Sequence, residues 1–166
     1  IFTAVRVGAV SGLRMRDFYP EESQWMFHFD EKGGKSREIP CRHDLQRLIQ
    51  TYVEAAELQS ADRNEFMFRA AVRREKRLSE NRYMTNDICR MIKRRLKQAG
   101  LPPHLSAHSF RVTTITDLLK QDVALEDVQR LAGHADPRTT KLYDRRDKTV
   151  TRNIVERISA KGLKDS

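Results

Sequence analysis

Two stretches of the chain carry side chains suited to chemistry at an anionic centre. In "AHSFR", His108 and Arg111 stand three residues apart, which on a helix sends both side chains to one face. An imidazole exchanges a proton near neutral pH and a guanidinium is a permanent cation, so the pair fits a reaction at a phosphate. A surface His and Arg that merely share a face is the plain alternative. In "LAGHADPRTTKLYD", residues 131–144, His134 follows a glycine, a turn opens a new helix, and Tyr143 stands nine residues beyond the histidine. A phenol ionises only near pH 10, so a nucleophilic tyrosine needs a base or cations beside it. Taken alone, this stretch also fits a helix-loop-helix with a half-buried tyrosine.

Other chemistries lack their parts. His104 and His108 have the i,i+4 spacing of metal ligands, but Pro102 and Pro103 put His104 outside the helix. No HExxH motif or cysteine cluster supplies further ligands, so no metal site is expected. There is no GxxxxGK[ST] loop, no GxSxG elbow, and no carboxylate cluster that would hold magnesium. If phosphates are handled here, cationic side chains must do it, and no cofactor is expected.

The bulk numbers agree with such a partner. Of 166 residues, 39% are hydrophobic, enough for one domain with a real core. Lys plus Arg number 32 against 23 Asp plus Glu, a net charge of +9 that suits a polyanion through counterion release. Cys41 and Cys89 are too isolated for a disulfide framework or zinc ribbon, which favours a reducing cytoplasm. No apolar run approaches the ~18 residues of a membrane span, and no signal peptide opens the chain. Residue 1 is Ile, and "IFTAVRVGAV" reads as a chain already under way, so a piece of a longer protein is expected.

The elements that must position these groups can be read from periodicity. "IFTAVRVGAVSGL" has rough helical spacing; "LRMRDFYP" and "QWMFHFDE" read as strands, the second with Trp25, Phe27 and Phe29 alternating with Met26, His28 and Asp30. "KGGK" is a hairpin turn and "SREIP" the return strand, which completes a small antiparallel sheet. Residues 44–58 trace one helix face through Leu45, Leu48, Ile49, Tyr52, Val53 and Ala56. Residues 59–84 look mixed and rich in Arg and Lys. Thr85 is the expected N-cap of a helix closed by Gly100. Helices follow over roughly 107–121 and 124–133, and Asp136-Pro137 caps the segment bearing Tyr143. Val150, Ile154, Val155 and Ile158 mark a last helix. The expected fold is α+β, mainly helical, with a three-stranded antiparallel sheet near the N-terminus.

With "VRVGAVSGL", "EKGGKSREIP", "AHSFR" and "LAGHADPRTTKLYD" in that order, the chain resembles the catalytic domain of the tyrosine recombinases, the phage-integrase family. The resemblance implies that Arg6 is the first catalytic arginine, Lys32 the hairpin lysine, His108 and Arg111 the His-x-x-Arg pair, His134 the second histidine and Tyr143 the nucleophile. Lys35 lies close enough on the hairpin to compete with Lys32. Ala4 replaces a usual glycine, and Ala9 stands where a Glu is frequent; both are supporting positions. The resemblance further implies a 3′-phosphotyrosine intermediate formed without metal or ATP, and a homotetramer on paired sites in double-stranded DNA. It also implies a separate N-terminal DNA-binding domain outside residues 1–166, together with the start of the catalytic domain. A bacterial or phage-encoded, nucleoid-associated protein of the cytoplasm is then expected, with integration a reading based on family size alone. Candidate DNA contacts are Lys35, Arg37, Arg69, Arg73, Arg74, Lys76 and Arg77, the run from 69 to 77 being either a phosphate-contacting loop or a solvated charged one. The last helix packs on its own domain or is exchanged with a neighbouring subunit.

Two rivals remain open. Type IB topoisomerases resemble the family in nucleophile and arginines but usually carry lysine where this chain has His108. A non-catalytic DNA-binding descendant is the other, although all six catalytic positions hold workable residue types.

Overall fold

The computed structural model describes residues 2–31, 33–72, 75 and 77–144. The expected last helix, Lys32, Arg73, Arg74 and Lys76 lie outside them.

A short helix, α1 (Val7–Gly12), leads through a 3₁₀ turn (Met15–Asp17) into a meander of β1 (Phe18–Glu21), β2 (Gln24–Glu31) and β3 (Lys35–Pro40). The three strands pair antiparallel in the order β1-β2-β3, with Phe18 opposite Phe27, Phe27 opposite Ile39 and Glu31 opposite Lys35. Gly33 and Gly34 take φ of 85° and 72°, the left-handed backbone that the "KGGK" turn requires. The Phe18, Trp25, Phe27 and Phe29 rings form a continuous ladder with centroids 4.5 to 5.3 Å apart. With Ala9, Leu13, Ile39, Cys41, Ile49 and Met67 they make the first core, under helix α2 (His43–Ala55).

The remainder is α3 (Thr85–Gln98), α4 (Ala107–Lys120), α5 (Leu125–Ala132) and α6 (Pro137–Lys141), preceded by a hairpin of β4 (Arg69–Val72) and β5 (Arg77–Arg82). A second core gathers Ile115, Leu119, Val128 and Ala132, with Tyr143 packed against it. Ser11 ties the two halves by donating to the Tyr83 carbonyl at 2.7 Å.

Several boundaries differ from the sequence reading. The first helix is confined to Val7–Gly12, because Ala4 adopts φ of 49° just upstream. The strand expected from "LRMRDFYP" starts only at Phe18: the Asp17 carboxylate accepts the Arg14 N–H at 2.7 Å and curls Met15–Asp17 into a 3₁₀ turn. The N-cap of α3 is Met84, one residue earlier than the expected Thr85. The mixed 59–84 stretch contains the β4–β5 hairpin, whose register shifts between Arg69 and Ala71 and so hides any two-residue period. Among the described residues no helix is long and apolar enough to cross a membrane.

Candidate active site

Arg111 is the buried hub. Its place on α4 leaves it 5% exposed, and its guanidinium donates to the carbonyls of Ala4 and Ala132, joining the start of the chain to the end of α5. Carbonyls at the C-terminal end of a helix carry partial negative charge, so a cation there is stabilised. Burial, followed by the nearby charges of Arg6 and Arg37, lowers its pKa to about 10, against the opposing influence of Glu31 and Tyr143. It remains protonated at neutral pH.

The end of α5 also sets His134. Gly133 has φ of 61°, and the His134 N–H returns to the Gln129 carbonyl at 3.2 Å, a left-handed cap that turns the chain inward. His134 is 8% exposed, with Nδ1 2.9 Å from Thr140 Oγ1, a side chain itself fully buried on α6. Burial lowers the His134 pKa from 6.5 to about 4, and the charges of Arg111, Arg6 and Arg37 act in the same direction. The imidazole is therefore neutral at pH 7. Its ring stacks on Tyr143 at 18° with centroids 6.0 Å apart. Asp136 accepts the Arg138 N–H at 2.9 Å and Pro137 opens α6, as the sequence predicts, and these hold the segment that carries the tyrosine.

Arg6, at the N-cap of α1, extends into solvent with half its side chain exposed and is held by Glu31 at 2.9 Å. It shares a cleft of about 290 Å³ with His108, Arg111, Cys89 and Lys93. Ser106, Ala107 and His108 also line this cleft, so the first turn of α4 opens on it with its positive dipole end. An anion entering here meets two guanidinium groups, an imidazole and a helix N-terminus. Lys93, whose Nζ donates to the Pro103 carbonyl at 2.8 Å, and Glu31 are site residues that the sequence reading missed.

Arg6, His108, Arg111, His134 and Tyr143 thus converge from distant parts of the chain. The expected DNA contacts divide. Lys35 is exposed at the start of β3, and Arg77 is exposed beside Glu75 at 2.5 Å. Arg37 and Arg69 are drawn inward instead. Arg37 is 13% exposed on its side chain, pairs with Glu31 and donates to the Arg130 and Leu131 carbonyls. Arg69 is 10% exposed, pairs with Glu65 at 2.5 Å and donates to the Phe66 carbonyl at 3.0 Å. Both are turned into the protein because carbonyl and carboxylate partners await them there.

Residues 1–149 match the model of the phage integrase family. The chain belongs to that family. Similar relatives include the tyrosine recombinase XerA of Pyrococcus furiosus, 27% identical over 157 residues that cover 93% of this chain and 50% of the relative. Tyrosine recombinase XerC of Rickettsia canadensis is 34% identical over 125 residues, 75% of this chain and 37% of the relative. Among solved phage-integrase folds, the XerA recombinase superposes with a TM-score of 0.70 at 23% identity, covering 88% of this chain and 50% of that one. XerH site-specific recombinase bound to its difH substrate gives 0.72 at 23% identity, covering 89% and 41%. The chain spans half or less of the length of these relatives.

Proposed function

We propose that this chain is the catalytic part of a site-specific DNA recombinase that works through a phosphotyrosine intermediate. The observation that carries the reading is the cleft where Arg6, His108 and Arg111 meet, with His134 and Tyr143 stacked beside the carbonyl that anchors Arg111. Double-stranded DNA is the substrate, in keeping with the net charge of +9. The whole protein acts as a tetramer on paired sites.

The reaction follows from the residue types. The Tyr143 oxygen attacks phosphorus, the bond from phosphorus to the 5′-oxygen breaks, and a 3′-phosphotyrosyl ester forms with a free 5′-hydroxyl. His108 accepts the phenolic proton and Lys32 supplies one to the departing oxygen. Charge grows on the non-bridging oxygens as phosphorus becomes five-coordinate, and Arg6 and Arg111 stabilise it with planar paired donors. Removing one such donor lowers the rate ~100- to 1000-fold. His134, neutral because buried among arginines, donates a hydrogen bond to the same phosphate without adding charge. The ester retains the energy of the broken bond, so the hydroxyl of another strand reverses the step without a nucleotide cofactor.

The test is incubation with a nicked duplex whose short downstream fragment, released with its free 5′-hydroxyl, diffuses away after cleavage, followed by denaturing gels. A protein–DNA adduct resistant to denaturant is expected, and a paired-site substrate yields exchanged strands. Relaxation of a supercoiled plasmid lacking any recombination site, with no strand exchange on paired sites, favours a type IB topoisomerase instead. Binding without any adduct favours a non-catalytic descendant.

A further inference from the structure

A carboxylate is an unexpected neighbour for a site that receives an anion, yet Glu31 pairs with Arg6, one of the two guanidinium groups that line it. It ends β2 with a side chain only 5% exposed. One oxygen is 2.9 Å from Arg6 Nη1 and the other pairs with Arg37 Nη2. Arg37 in turn donates to the Arg130 and Leu131 carbonyls at the end of α5. A continuous chain of polar contacts therefore runs from that helix end, through Arg37 and Glu31, to the outermost guanidinium of the cleft.

The backbone makes room for it. A Cβ on Gly133 would stand 2.8 Å from Arg37 Nε and 3.0 Å from a Glu31 oxygen, so the pair passes directly over the glycine that precedes His134. Arg6 has half its side chain in solvent and, left to itself, would sample many rotamers. One nitrogen of its fork is held by a buried carboxylate that is itself paired with Arg37. Glu31 also opposes the mutual repulsion of Arg6, Arg37 and Arg111, as the charge influences on Arg111 and His134 reflect.

We propose that Glu31 is a positioning residue: it ties Arg6 through Arg37 to the end of α5 and so fixes where that guanidinium meets the scissile phosphate. This rests on the recombinase reading of the cleft. Glu31 does not touch the reacting atoms; it acts through Arg6.

The test compares wild type with Glu31→Gln, and with Glu31→Asp, which keeps the charge but shortens the reach. The rate of covalent capture at saturating nicked duplex is measured together with DNA affinity. Each protein receives a normal phosphodiester or a neutral methylphosphonate at the cleavage position. On the phosphodiester, Glu31→Gln slows capture about 10- to 100-fold, a fraction of a full donor loss, with affinity within about 2-fold. On the methylphosphonate, which lacks the charged oxygen that Arg6 serves, the gap shrinks to about 3-fold or less. Equal losses on both substrates indicate general structural damage and overturn the proposal, as does an unimpaired Glu31→Gln. Should Glu31→Gln not fold, Glu31→Asp is read by the same ratio. A wild-type protein that captures neither substrate is a separate outcome: it removes the recombinase reading, and this proposal with it.

Discussion

The imidazole of His134 lies nearly parallel to the phenol ring of Tyr143, 18° off with centroids 6.0 Å apart. One ring is buried among arginines and fixed by Thr140; the other is half-buried against the apolar side of α4 and α5. The tyrosine is thus docked beside the cleft by packing, with its position set by the cap at Gly133 and the start of α6.

The burial of His134 has a signature in pH. Its pKa is about 4 in the folded chain against an ordinary 6.5, so between these values the unfolded chain binds more protons. The stabilisation is complete above pH 6.5 and is lost as pH falls towards 4, with a ceiling of ~3 kcal/mol. Urea midpoints at about pH 7.5 and about pH 4.5 will show a steeper decline for wild type than for His134→Gln. Parallel declines contradict the assignment of a buried neutral imidazole.

Ala4 holds a left-handed backbone while its carbonyl accepts from Arg111. A side chain at such φ costs roughly 1 kcal/mol that glycine avoids. Ala4→Gly therefore stabilises the protein by about 1 kcal/mol in denaturant titration, with capture activity kept. Destabilisation by more than about 0.5 kcal/mol contradicts this conformation.

Gly133 and Gly100 form a matched pair. Both are left-handed, at 61° and 68°, but a Cβ on Gly100 meets nothing within 4 Å whereas one on Gly133 meets Arg37 and Glu31. Gly100→Ala should lower stability by about 1 kcal/mol from backbone strain alone. Gly133→Ala should cost ~2 to 3 kcal/mol and also slow covalent capture, because it displaces the anchor of Arg6. Equal effects at both positions argue against the close passage of Glu31.

Much of this was legible in the chain. Alternating aromatics announced β2, paired glycines announced the hairpin, and the Asp136-Pro137 cap announced α6. The convergence of Arg6, His108, Arg111, His134 and Tyr143 came from motif order, not from periodicity. Glu31 escaped because a single acidic residue at a strand end has no spacing signature, and its partners stand 25 and 6 residues away. Arg37 and Arg69 were expected at the DNA because cations default to the surface. The carbonyls at the end of α5 that capture Arg37 exist as a site only once that helix has formed and docked.

The central claim is that the Tyr143 phenol becomes bonded to DNA. The most direct measurement is proteolysis of the trapped adduct followed by mass spectrometry of the nucleotide-bearing peptide. The account predicts a 3′-phosphonucleotide on the peptide containing Tyr143, and no adduct from Tyr143→Phe although DNA binding persists. An adduct on any other residue, or an undiminished yield from Tyr143→Phe, contradicts it.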